Sequence, residues 1–217
     1  MKKALLIITI ICFCRSTFLD AQTNKGKVLI GVSSTLSLTG TCSELMNLNF
    51  SSIKYKSDAA GFEESDSDNM NSLNLSPKIG VFVANRLTLG IDVNIGFSSY
   101  KGGENNHKSS QTLLGVGPFI RYYMPGGKAL AFLEVGGSIG QMIDKYETEY
   151  IDDGEHKTNI TSYIAGIGIA APLGDKVTFD IMAGYNSLIL KDKEDNEDND
   201  RTIIGTLGLK LGFIVLL

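Results

Sequence analysis

Arg86-Leu87-Thr88-Leu89-Gly90-Ile91-Asp92-Val93-Asn94-Ile95-Gly96-Phe97-Ser98 decides how the rest of the chain is read. Leu87, Leu89, Ile91, Val93, Ile95 and Phe97 alternate without a break with Thr88, Gly90, Asp92, Asn94, Gly96 and Ser98. A period of two is a strand with one apolar and one polar face, and no helical spacing fits it. Val177 to Ile189 and Thr202 to Leu217 repeat the pattern, with Leu207, Leu209, Leu211, Phe213, Val215 and Leu217 on one side of the last segment. Weaker copies at Lys27 to Leu38, Leu73 to Val83, Thr112 to Tyr123, Ala129 to Ile143 and Ile160 to Ala171 bring the expected strands to eight.

Their links fall into two classes. Ala84-Asn85, Met124 to Lys128 and Pro172 to Lys176 are tight-turn chemistry. Thr39 to Ser72, Tyr100 to Gln111, Asp144 to Asn159 and Lys191 to Arg201 are longer and polar. Strict alternation of short and long links puts every long loop at one end of an antiparallel sheet. An even strand count with this asymmetry is the pattern of an outer-membrane barrel.

The soluble alternative is an eight-stranded carrier barrel, whose polar face would meet water and be rich in Lys, Glu, Asp and Gln. Here that face is mostly Gly, Ser, Thr and Asn. Glycine makes up 24 of the 217 residues, and most of the strand glycines lie on this face, as Gly80, Gly90, Gly96, Gly115, Gly117, Gly168 and Gly212 do. Eight strands leave a lumen just wide enough for side chains, so the small face is expected inside and the apolar face against lipid. Six outward residues per strand, at about 3.3 Å each and tilted by about 40°, cover a band near 25 Å.

Composition sets the remaining bounds. A net charge of −4 excludes a strongly basic nucleic-acid binder, and past the N-terminus no run approaches the ~20 apolar residues of a spanning helix. Residues 1–21 read as a cleaved signal peptide, with Lys2 and Lys3 before an apolar Ala4 to Cys14 and a small residue, Ala21, at the cut. The expected mature domain is therefore 22–217, with a charge of −6 and Cys42 as its single cysteine. Three of the four long loops are acidic.

The signal, the eight strands and the loop asymmetry resemble the small outer-membrane β-barrels of Gram-negative bacteria, of the OmpA-transmembrane-domain, OmpX and porin-like type. The resemblance covers the whole mature chain. It implies a C-terminal assembly signal of polar, any, Gly, any, any, apolar, any, apolar, which Lys210, Gly212, Val215 and Leu217 match, with Leu217 where an aromatic is commonest. It further implies location in the Gram-negative outer membrane, contact with its lipid and lipopolysaccharide, and delivery to the barrel-assembly machinery. A monomer without cofactor or metal is expected, with an extracellular ligand as a further partner and no cell-wall tether.

Six charges fall on the inward faces: Lys78, Arg121 and Lys210 against Asp92, Glu134 and Asp180. Across the short turns Lys78 falls nearly opposite Asp92 and Arg121 next to Glu134, while Asp180 and Lys210 lie on adjacent strands. Burial of such charges requires pairing. The pattern is read as a salt-bridged plug; a gate for a narrow ion path is the alternative.

Loop chemistry is weaker. Lys191 to Asp200 is dense in oxygen ligands but lacks the sixth-position Gly and terminal Glu of an EF-hand, and reads as a solvated acidic loop. His107 and Ser109, two apart, resemble lipid-A deacylase barrels, but no carboxylate is placed to orient the histidine. His156 is expected to be exposed among acidic residues. Tyr100, Tyr122, Tyr123, Tyr163 and Tyr185 are expected in an interfacial girdle. The expected function is a non-enzymatic surface or envelope-integrity barrel; the alternatives are a narrow channel or uptake route for ions or small hydrophobic compounds, and a lipid-A-modifying enzyme.

Overall fold

The computed structural model of the chain describes residues 22–37, 49–53, 68–101, 108–125, 129–148, 151–192 and 201–217. The expected signal segment 1–21, Cys42, His107 and the acidic run 193–200 fall outside them. The elements are β1 (Val28–Ser37), β2 (Asn49–Ile53), β3 (Asp68–Ala84), β4 (Leu87–Lys101), β5 (Lys108–Tyr123), β6 (Leu130–Thr148), β7 (Ile151–Pro172), β8 (Val177–Asp192) and β9 (Thr202–Leu216). Each long strand pairs antiparallel with the next, and β1 pairs with both β9 and β3. The sheet thereby closes into an eight-stranded up-and-down barrel.

At the seam, Val28 and Leu217 exchange backbone bonds of 2.9 Å in both directions, and Phe82 N donates to Lys27 O at 2.9 Å. The β3–β4 turn places Arg86 in the left-handed region at φ 69°. Its N–H donates to Thr23 O at 2.6 Å and its carbonyl accepts from Tyr123 N at 2.8 Å, so the N-terminal stub and β5 hold the strained residue in place.

Burial assigns the faces. Ile79, Ile91, Leu114, Ile139 and Ile167 are each more than half exposed, whereas Lys78, Arg121, Glu134 and Asp180 are under 5 % exposed. Charged residues inside and isoleucines outside invert a soluble protein, and this is the arrangement required of a wall that faces lipid. Pro77 and Pro118 point outward mid-strand. The β3–β4 pairing lapses at Ser76 and Pro77, and the β5–β6 pairing at Gly117 and Pro118, because proline has no N–H to give the ladder. The register continues unchanged on both sides of each lapse.

Three expectations are corrected. A ninth segment, β2, lies within the first long loop and pairs with the loop end of β3, Asn49 opposite Ser72. The wall is still eight strands. The segment expected to be the third long loop, Asp144 to Asn159, is mostly ladder: β6 runs to Thr148 and β7 starts at Ile151. Cross-strand hydrogen bonds continue past the lipid band, where no apolar alternation is needed to sustain them. Lastly, the lumen is not lined only by small and polar side chains. Leu29, Phe82, Phe119, Tyr123, Phe132 and Leu216 are buried inside its turn end.

Large residues fit there because glycines face them. A Cβ on Gly80 would lie 2.7 Å from Thr88 Cγ2 and 3.1 Å from the Phe119 ring, and one on Gly168 would collide with Phe132. Replacing Ile91, near the middle of the outward β4 face, with Arg is expected to cost about 2–4 kcal/mol in lipid. Urea titration of the folded fraction in vesicles measures this; a loss below about 1 kcal/mol would place Ile91 outside the hydrocarbon.

Candidate functional site

The lumen is layered from the turn end upward. Phe82, Tyr123 and Phe132 stack as a floor, with ring centroids 5.9 Å apart for Phe82–Tyr123 and for Tyr123–Phe132. Leu29, Leu130, Ala170, Ile214 and Leu216 complete it. Each is on the inward parity of its strand, and together they leave the turn end dry.

On this floor sits the ion network, which contains all six charges expected in the lumen. Glu134 is its hub. Its Oε1 accepts from Lys78 Nζ at 2.7 Å, and its Oε2 accepts from Arg121 Nε at 2.7 Å and contacts Nη2 at 2.6 Å. Arg121 also pairs with Asp180 and donates to Tyr123 OH at 3.1 Å. Asp180 accepts a second bond from Thr178 Oγ1 at 2.7 Å. Asp92 Oδ2 lies 3.4 Å from Lys78 Nζ and 3.3 Å from Lys210 Nζ.

Two of these contacts follow the ladder, since Lys78 stands opposite Asp92 and Arg121 opposite Glu134. Lys78–Glu134, Arg121–Asp180 and Lys210–Asp92 cross the lumen, and Arg121–Tyr123 and Thr178–Asp180 each lie along one strand. Asp180 and Lys210, on neighbouring strands, do not pair with each other; Asp180 is opposite Gly212 and Lys210 is opposite Met182. Aromatic faces support the cations from below, with Arg121 Cζ 4.0 Å from the Phe132 centroid and Lys78 Nζ 4.7 Å from that of Phe119.

Above the charges lies a small cavity of about 50 Å³ with a mixed polar and apolar lining. Ser76 Oγ donates to Asn94 Oδ1 at 2.9 Å, Asn94 Nδ2 donates to Ser138 Oγ at 3.2 Å, and the Ser138 and Ser162 hydroxyls are 2.7 Å apart. Asp92 lines this cavity, and its Oδ1 has no protein donor. The volume holds a few waters and nothing much larger. A second apolar ring, Leu113, Met142, Ile160 and Leu188, narrows the lumen above it.

The mouth beyond is a cup of about 400 Å³ lined by Met142, Asp144, His156, Thr158, Leu190, Arg201 and Thr202. Asp144 is buried and accepts from Gln111 Nε2. His156 stands directly opposite Asp144 and is half-buried, contrary to its expected exposure. Ser109 is half-buried on β5; its expected partner His107 lies outside the described residues. Among the described residues no three His, Cys, Asp or Glu side chains converge as metal ligands.

The tyrosines divide. Tyr122, Tyr163 and Tyr185 are exposed on the outer wall, but Tyr123 is fully buried in the floor and Tyr100 is on the inward parity of β4. At the C-terminus, Gly212 packs against Ser33 and Val32, where a Cβ would lie 2.7 Å from Ser33 Cβ, while Val215 and Leu217 have the outward parity of β9. The aromatic floor and the Ser76–Asn94–Ser138–Ser162 chain were missed from sequence. The signal was present: Phe82, Phe119, Tyr123 and Phe132 interrupt the otherwise small face of their strands.

Glu134→Gln leaves Lys78 and Arg121 buried with one carboxylate fewer, and is expected to destabilise the folded barrel by about 3–5 kcal/mol. Ser162→Ala, which removes one neutral hydroxyl contact, is expected to cost about 1 kcal/mol. Thermal unfolding of both variants in the same detergent compares them; equal losses would deny Glu134 its place as hub.

No family model matches the sequence, and no curated protein matches it. Solved structures similar to this chain include the outer membrane protein OprG from Pseudomonas aeruginosa, at 14% identity over 89% of this chain and 97% of that one, with a TM-score of 0.42. Neisserial surface protein A is 12% identical over 88% and 95%, with a TM-score of 0.39. Ail, the attachment invasion locus protein of Yersinia pestis, is 15% identical over 88% and 99%, with a TM-score of 0.37. By its own geometry the chain is a closed eight-stranded antiparallel barrel with its apolar face outward, the architecture by which β-proteins cross an outer membrane.

Proposed function

We propose that the chain is a non-enzymatic outer-membrane barrel that acts through its loop end, in surface interaction or envelope integrity, with its lumen serving as an internal brace. The carrying observation is the two-part plug. The Phe82–Tyr123–Phe132 floor lies beneath a network in which every one of the six buried charges has an oppositely charged partner. An ion crossing this layer would have to displace a paired charge and then traverse a dry aromatic stack, and both steps are costly. The cavity of about 50 Å³ above the network is thus a dead end rather than part of a conduit.

The brace has a mechanical use. Glu134 on β6 ties β3 and β5 together, Arg121 reaches Asp180 on β8, and Asp92 on β4 reaches Lys210 on β9. These ties span the barrel's interior in its turn-end half and fix the strands relative to one another. Acidic loop sequences such as 193–200 are then the interacting parts, suited to a cationic surface or to divalent cations held diffusely.

In planar bilayers the refolded chain is expected to show no resolvable single-channel steps. Reproducible steps that grow when Glu134 or Arg121 is neutralised would overturn the brace and establish the ion path. Unchanged lipid A in cells lacking the gene is the outcome expected of a non-enzyme, and loss of a lipid A modification would replace this reading with a catalytic one.

A further inference from the structure

The mouth of the lumen is organised differently from the ion network beneath it. In the network Lys78, Arg121 and Lys210 each face a carboxylate. At the mouth Arg201 lines the cup of about 400 Å³ and is exposed, and among the described residues no carboxylate pairs with it. The cup's own carboxylate, Asp144, is on β6, whereas Arg201 leads into β9. Three strand spacings of about 4.8 Å separate β6 from β9 along the wall, so the two charges approach the cup from different sides. Asp144 is buried, accepts from Gln111 Nε2 and stands opposite His156. Its neighbours thereby fix the carboxylate in position.

The base of the cup is apolar. Met142, one inward position nearer the turn end than Asp144, belongs to the ring that closes the lumen, and Leu190 packs against that ring opposite Ile160. Thr202 lines the wall beside Arg201. The volume of about 400 Å³ falls within the roughly 300–1,000 Å³ of small-molecule sites.

We propose that this cup is a binding site for a free α-amino acid with an apolar side chain, a proposal that rests on the loop-end reading above and names a ligand for it. The α-ammonium group takes Asp144, the α-carboxylate takes Arg201, and the side chain lies on Met142 and Leu190. Simpler ligands leave a mismatch. An anion alone meets the charge of Asp144, a cation alone meets that of Arg201, and a sugar sets hydroxyls against the apolar base. Because the lumen beneath is shut, the amino acid is held rather than passed on. Once bound, it ties β6 to β9 across the mouth, as Lys78–Glu134 and Arg121–Asp180 tie strands lower down.

The chain, refolded in detergent, is titrated calorimetrically with L-leucine, glycine, leucinamide and N-acetyl-L-leucine. Leucine is expected to bind at least about tenfold more tightly than glycine, because its side chain leaves water for the apolar base. Arg201→Gln is expected to weaken leucine binding at least about tenfold and to leave leucinamide binding unchanged. Asp144→Asn is expected to weaken leucine binding and to leave N-acetyl-L-leucine binding unchanged. A heat-shifted band in electrophoresis checks that each variant is folded; Arg201 is exposed, so its variant tests the site even where Asp144→Asn fails to fold. Absence of leucine binding at millimolar concentration, equal affinity for leucine and glycine, or undiminished leucine binding by Arg201→Gln would overturn the proposal and leave the closed lumen standing. Leucine that binds with the expected preferences and also crosses a proteoliposome membrane would uphold the cup and refute the closed lumen instead.

Discussion

A backbone in hydrocarbon finds no water, so each N–H and C=O must be bonded within the protein. For strands, the solution is closure, and the antiparallel seam where β1 meets both β9 and β3 removes the last open edges. Much of the rest of the structure is a consequence of closing at eight. The wall must be apolar outside, and the lumen is so narrow that side chains fill it from opposite sides. A large residue on one strand then requires a glycine on another, as Phe132 does with Gly168 and Phe119 with Gly80.

Confinement also explains the charges. Six ionised groups under 10 % exposed would be prohibitive singly, yet they are placed so that each faces an opposite charge, and Glu134 and Asp92 each face two. A network with this many cross-lumen ties is rigid because no member can leave without stranding another. The aromatic floor strengthens it by lowering the local polarity and offering ring faces to Arg121 and Lys78. Rigidity within and acidic sequence in the loops fit a scaffold that presents a surface.

The outer face is ordered by depth in the same way. Isoleucine, leucine and valine fill the band, and tyrosines such as Tyr163 and Tyr185 lie outward on the loop half. The two layers match different parts of the lipid, acyl chains and interface. The mouth, with Asp144 opposite His156, lies nearer the loop end than these layers.

The alternation from Leu87 to Ser98 determined locally that this segment is a strand and which of its faces meets lipid, because a period of two is a property of the extended backbone itself. The same local logic identified Lys78, Asp92, Arg121, Glu134, Asp180 and Lys210 as inward, and placed Lys78 by Asp92 and Arg121 by Glu134, since a short turn sets the register of its own hairpin. It could not decide that Asp180 binds Arg121, or that Lys210 reaches Asp92 on a strand 118 residues away. Nor could it show that Tyr123, beside the outward Tyr122, joins a sealed floor. Those partners are chosen by barrel closure and strand stagger, which bring non-neighbouring strands to a common depth across the lumen, and only the tertiary structure contains that depth.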